Sequence, residues 1–112
     1  IKEDSFLKEK TSAKYFEEII DIEVSFLSGN IKEFNSTLDK EYKKISDAKS
    51  KISELESDKK YQTESEQNQT DSNINKLNSL INSSNSTIEN TTKSIKELEE
   101  KIEKLREKKE DF

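Results

Sequence analysis

Five isoleucines, Ile74, Ile81, Ile88, Ile95 and Ile102, stand seven residues apart. Leu77, Leu98 and Leu105 follow their isoleucines by three, and Ser84 and Thr91 occupy the two equivalent positions between them. Lys109 and Phe112 close the two series. Apolar residues at alternating steps of three and four line one stripe of a helix, and a seven-residue repeat keeps that stripe against a neighbouring helix. The stretch therefore predicts a long coiled-coil helix whose seam is weakest at Ser84 and Thr91.

A second repeat lies earlier. One series is Ile20, Leu27, Phe34, Glu41, Ala48 and Leu55, and the other is Val24, Ile31, Leu38, Ile45 and Ile52. Glu41 interrupts it. Gly29 falls inside this register without shifting it, which leaves two readings: a continuous helix that tolerates one Gly at about 1 kcal/mol, or a helix end at Leu27 or Ser28 capped by Gly29-Asn30. The two repeats are out of phase by one residue. Between them, residues 56–73 hold Tyr61 as their only apolar side chain. Such a stretch cannot bury a seam, and its Ser, Thr, Asn and Asp compete with helical hydrogen bonds. It predicts a chain reversal with a loop of about ten residues, or else a weakly paired helix.

Folding the chain between Glu64 and Ser65 brings Leu55 to Ile74, Ile52 to Leu77, Ala48 to Ile81, Phe34 to Ile95 and Leu27 to Ile102. Most of both seams is then used, with Glu41 against Ile88 as the poor layer, relieved by Tyr42 beside it. The expected architecture is all-α: an extended coiled coil forming a long antiparallel helical hairpin with an apolar N-terminal helical segment. The alternative is a parallel dimeric coiled coil, which Ile at a and Leu at d favour but which sets Lys101 against Arg106 of the second chain. In domains, residues 1–30 form an apolar N-terminal helix, 31–60 a first coiled-coil arm, 61–72 a polar loop or weak seam, and 73–112 a second arm. Arms of about 40 residues at 1.5 Å per residue make a rod on the order of 60 Å.

The N-terminal third is richer than a single seam requires. Residues 12–27 hold nine apolar side chains in sixteen. Phe16, Ile19, Ile20 and Leu27 share one helical face, and Tyr15, Ile19, Ile22 and Phe26 an adjoining one. A helix apolar over so wide an arc calls for more than one neighbour. Phe6, Tyr15, Phe16, Ile19, Ile22 and Phe26 are therefore the expected contacts to a protein partner or to another copy of the chain.

Composition removes most other roles. The 112 residues include no Pro, Cys, Met, Trp or His and one Gly, with 40% charged, 28% hydrophobic and a net charge of −5. That balance alone would allow disorder; the repeats are what argue for folded helices. Without His and Cys the common zinc, haem and iron–sulfur ligands and the usual nucleophile–base pairs are missing. One Gly cannot build a phosphate-binding loop. Glu17, Glu18, Asp21 and Glu23 cluster, and Asp21-x-Glu23 resembles the start of a calcium loop, but Phe26 stands where that loop needs Gly. Lys40, Lys43, Lys44, Lys49 and Lys51 alternate with acids and lack stacking aromatics, so they read as a solvated face and not a nucleic-acid surface. We expect no enzyme activity, no cofactor, no metal, no nucleic acid and no small-molecule substrate. No run reaches the roughly 18 apolar residues of a membrane span. A start at Ile1 points to a fragment or processed form.

Five N-x-[ST] sequons, at Asn35, Asn68, Asn82, Asn85 and Asn90, carry a different expectation: a secreted or surface-exposed helical protein such as an antigen, adhesin stalk or secretion-system substrate. Leu27-Ser28-Gly29, followed by Ile31-Lys32 and Phe34, also resembles the turn of the small helical-hairpin proteins of Gram-positive type VII secretion. The likeness covers about eight residues, without the Trp of that turn or the family's C-terminal signal. The main expectation is a helical scaffold, spacer or tether.

Overall fold

The computed structural model describes the backbone of residues 2–111 and the side chains of residues 13–111. The chain is an all-α helical hairpin: α1 spans Lys2–Asp58, a 3-10 turn spans Lys59–Tyr61, and α2 spans Glu64–Asp111, with no strand among the described residues. Helix α1 runs unbroken through Gly29, which has no positive φ. The continuous-helix reading of Gly29 is the one observed, and the turn suggested by the type VII likeness is absent there.

Burial along each helix follows the repeats. On α1 the buried and half-buried positions include Ile20, Val24, Leu27, Ile31, Phe34, Leu38, Glu41, Ile45, Ala48, Ile52 and Leu55. On α2 they include Ile74, Leu77, Ile81, Ser84, Ile88, Thr91, Ile95, Leu98, Ile102 and Leu105. The seam of α2 also continues one heptad upstream of Ile74, through half-buried Gln67 and buried Thr70. Polar character does not remove a residue from the stripe; it changes how that layer is satisfied.

The link is shorter than the sequence suggests. Residues 64–72, expected as loop or weak seam, belong to α2, so the reversal is confined to residues 59–63. No Gly or Pro bends it. Instead Gln62 is extended, and its N–H donates to the Lys59 carbonyl at 3.2 Å. Helix α2 begins with a capping box. The Thr63 N–H donates to the Glu66 carboxylate at 3.2 Å, the Glu66 N–H donates to the Thr63 hydroxyl at 3.3 Å, and the Thr63 hydroxyl lies 2.9 Å from the same carboxylate. Two N–H groups that a helix start leaves orphaned are thereby satisfied.

Side chains from the next turns of α2 reach back to the link. The Gln67 amide donates to the carbonyls of Lys59 at 3.0 Å and Gln62 at 3.4 Å. The Thr70 hydroxyl donates to Gln62 at 2.6 Å, and Lys59 pairs with Asp71 at 2.7 Å. The polar residues on the seam here are the ones that close the turn.

The chain divides into two compact units, residues 1–34 with 93–112, and residues 35–92. In the first, Ile20, Leu27 and Ile102 are buried, and Lys109 pairs with Asp21 at 2.8 Å. In the second, Ala48 is the buried apolar residue among those described, and Glu41, Thr70, Ser84 and Thr91 are the buried polar ones. No residue of the described set is completely enclosed, as a pair of helices allows. Yet no buried side-chain nitrogen or oxygen among them lacks a partner.

Candidate protein-docking face

The sequence nominates six residues of α1 for partner contact, and the structure separates them. Tyr15, Ile19, Ile22 and Phe26 are 66%, 47%, 71% and 66% exposed. Ile20 and Leu27, each one residue away from a member of that set, are 4% and 6% exposed. Phe16 is half-buried and belongs with the inward side, so it is not part of the outer face. Phe6 lies outside the described side chains.

The four exposed residues follow steps of four, three and four. At about 100° per residue they fall within an arc of about 60°. This is a second a/d stripe on the same helix, turned away from the first. The next positions in its phase are Gly29 and Glu33, so the stripe stops after about three turns. An apolar patch of this kind, rimmed by polar residues, is a recurring mark of an interaction surface.

Charges border the stripe unevenly. Glu18 lies on one edge and Glu23 on the other. Asp21, further round the helix, is held by Lys109. That contact raises the Lys109 pKa above its ordinary value, chiefly through the hydrogen bond to Asp21, against a smaller opposing effect of desolvation. Among the described residues, no group of three or more acids is arranged to hold a metal ion, the cluster around Asp21 included. No described helix is long and apolar enough to cross a membrane.

One buried polar site was not foreseen. Glu41 accepts hydrogen bonds from the Ser84 hydroxyl and, at 3.1 Å, from Lys44. These bonds, Ser84 foremost, hold its carboxyl below the ordinary carboxylate value despite burial. The expected helper, Tyr42, points outward and is exposed. The sequence signal was available: Ser84 interrupts one seam and Glu41 the other, and two polar interruptions on facing stripes can satisfy each other. The T-x-x-E spacing of Thr63 and Glu66 was likewise a legible helix-start signature.

No family model matches the chain, and no curated protein or solved structure is significantly similar to it.

Proposed function

We propose that the chain is a non-enzymatic interaction module, an antiparallel coiled-coil hairpin that serves as a scaffold, spacer or tether and engages a protein partner through the outer stripe of α1. The observation that carries this reading is the exposure of Tyr15, Ile19, Ile22 and Phe26 at a/d spacing on the helix whose other stripe buries Ile20 and Leu27. Isolated exposed apolar residues are ordinary; four in register on one helix are not. Pairing within one chain is supported by Asp21 with Lys109 and Lys59 with Asp71, both close to the register that folding the seams together requires. A parallel two-chain coil would leave these contacts unexplained.

Sedimentation with light scattering, together with an apolar-surface dye, tests the reading. The expected result is the mass of one chain, and dye fluorescence that falls in Ile22→Asp and Phe26→Asp while helicity is kept. A two-chain mass that survives both substitutions would favour the parallel coil. Unchanged dye fluorescence would remove the stripe from the account.

A second reading, a secreted or surface-exposed helical protein, is supported by the exposure of all five sequon asparagines. A signal segment ahead of Ile1 in the full-length gene would support it further.

A further inference from the structure

Resting on the hairpin reading, we infer that the link is a hinge through which two copies of the chain exchange their α2 helices. In the exchanged pair residues 59–63 join α1 and α2 into one helix, and each α2 packs on the other copy's α1. Nothing in the link demands a turn. It holds no Gly or Pro, and no described residue has a positive φ. Asp58, at φ −66° and ψ −29°, is still helical, and a 3-10 turn carries the chain on through Tyr61. Gln62, at φ −102° and ψ 153°, is extended, and α2 begins at Glu64. The reversal is thus made at Gln62 and Thr63, residue types that a helix accepts at small cost. A hinge absorbs a large change of direction in just such a small number of backbone angles.

The hydrogen bonds balance between the two forms. In the turn, side chains serve four backbone groups. The Thr63 N–H donates to the Glu66 carboxylate, the Glu66 N–H donates to the Thr63 hydroxyl, and the Lys59 and Gln62 carbonyls accept from the Gln67 amide. In a helix each N–H bonds the carbonyl four residues before it. Thr63 would then bond Lys59, and Glu66 would bond Gln62, so the same four groups pair with one another and straightening strands none of them. The seams also allow it. Twenty-two residues separate Ile52 from Ile74, which at about 100° per residue leaves them within about 40° of each other on a continuous helix. Asp21–Lys109 and Lys59–Asp71 are each centred in sequence on Ser65. A two-fold axis at Ser65 therefore remakes both pairs between chains. A second copy of the chain meets that register by construction, which is why it is the occupant. The short link keeps the chain's own α2 at high local concentration, and the contacts around Thr63 are the catch that holds the one-chain form at rest.

The test uses the full 112-residue chain, which has no Cys of its own. Asp21→Cys and Lys109→Cys are placed in separate chains, at a surface ion pair where substitution is mild. The two variants are mixed in urea, refolded at micromolar and at near-millimolar concentration, and treated with a short thiol–thiol cross-linker. The expected result is a two-chain product joining position 21 to position 109, rising with concentration. Gln62→Ala with Thr63→Ala cuts the catch and favours a helical link, and is expected to raise the micromolar yield about tenfold. Tyr61→Gly is expected to lower the near-millimolar yield about fivefold, because Gly weakens a continuous helix, whereas the 90% exposed Tyr61 side chain adds little packing to the closed form. Ile22→Asp should leave the yield unchanged. Absence of the 21-to-109 product from the catch variant at near-millimolar concentration would overturn the proposal. Equal yields from wild type, the catch variant and Tyr61→Gly would mean that the link does not straighten. A product that Ile22→Asp abolishes would place the second copy on the outer stripe and overturn the exchange. Both cysteines in one chain probe the reading beneath: at micromolar concentration they should cross-link within that chain, and failure there would remove the hairpin itself.

Discussion

The buried hydroxyl of Ser84 on α2 donates a hydrogen bond to the buried carboxylate of Glu41 on α1. Each residue interrupts an apolar seam, and each supplies what the other lacks. A buried acceptor that loses its donor keeps its desolvation cost, so the two residues act as a unit. Ser84→Ala is expected to lower the melting temperature by about 5 °C. Glu41→Leu, which restores an apolar residue to the seam, is expected to raise it. A thermal double-mutant cycle should give non-additive shifts, since the partners touch. Additive shifts would mean that the bond contributes little.

Acid should act through the same carboxylate. Glu41 and Glu66 both titrate below the ordinary value of 4.5, Glu41 chiefly because of Ser84 and Glu66 chiefly because of the Thr63 hydroxyl. A group whose folded pKa is depressed contributes stability that is present above the unfolded value and is lost as pH falls through the folded one. Stability from these two groups is therefore expected to be flat near neutrality and to decline as pH drops below about 4.5. Urea titrations of wild type and Glu41→Gln over that range should show a shallower decline in the variant.

The reversal rests on Thr63. Because the link has no Gly or Pro, its geometry depends on side chains that cap α2 and return to the link. Thr63→Ala is expected to cost about 1 kcal/mol in urea unfolding, the usual cost of losing an N-cap. Adding Glu66→Ala should cost less than its separate effect, because the two residues satisfy each other's backbone N–H groups. Hydrogen exchange at the start of α2 should quicken in either variant.

The apolar stripes were legible because isoleucine and leucine repeat with a period that only a helix explains. Ile74 to Leu105 and Ile20 to Leu55 are buried or half-buried where the repeats put them. The link was harder to read for a physical reason. Thr70 and Gln67 keep the heptad phase but are polar, so a pattern scored on apolarity ends at Ile74 although the helix does not. The docking face was half legible. Composition showed an excess of apolar residues over 12–27, but that Ile19 lies on the exposed edge of that face and Phe16 on its half-buried edge could be told only once the direction of the inner seam was known.

Gly29 sits in open space within α1. Its φ is not positive, and a Cβ placed on it meets no atom within 4 Å. Neither turn geometry nor close packing requires glycine there. Gly29→Ala is therefore expected to stabilise the chain by about 0.5–1 kcal/mol, through backbone entropy alone. Unfolding midpoints with an unchanged m-value would check this. A loss of stability would mean that the helix bends or pauses at Gly29 in solution.

Ile20 and Ile22 are the same residue type on the same helix, two positions apart, yet they face opposite ways. Two residues along an α-helix turn the side chain by about 200°. Ile20 therefore lies on the inner seam at 4% exposure while Ile22 projects outward at 71%. Truncating Ile20 to Ala removes buried methyl and methylene groups and leaves space that a pair of helices can only partly close, at an expected cost of about 2 kcal/mol. Ile22→Ala removes atoms already in water and should stay within about 0.5 kcal/mol of wild type. Chemical denaturation of the two variants measures the contrast in stability, and the dye signal measures it at the surface, where only Ile22→Ala should reduce binding. Equal destabilisation by both would place Ile22 in a buried interface of the free protein, which the mass of the same samples would reveal as self-association.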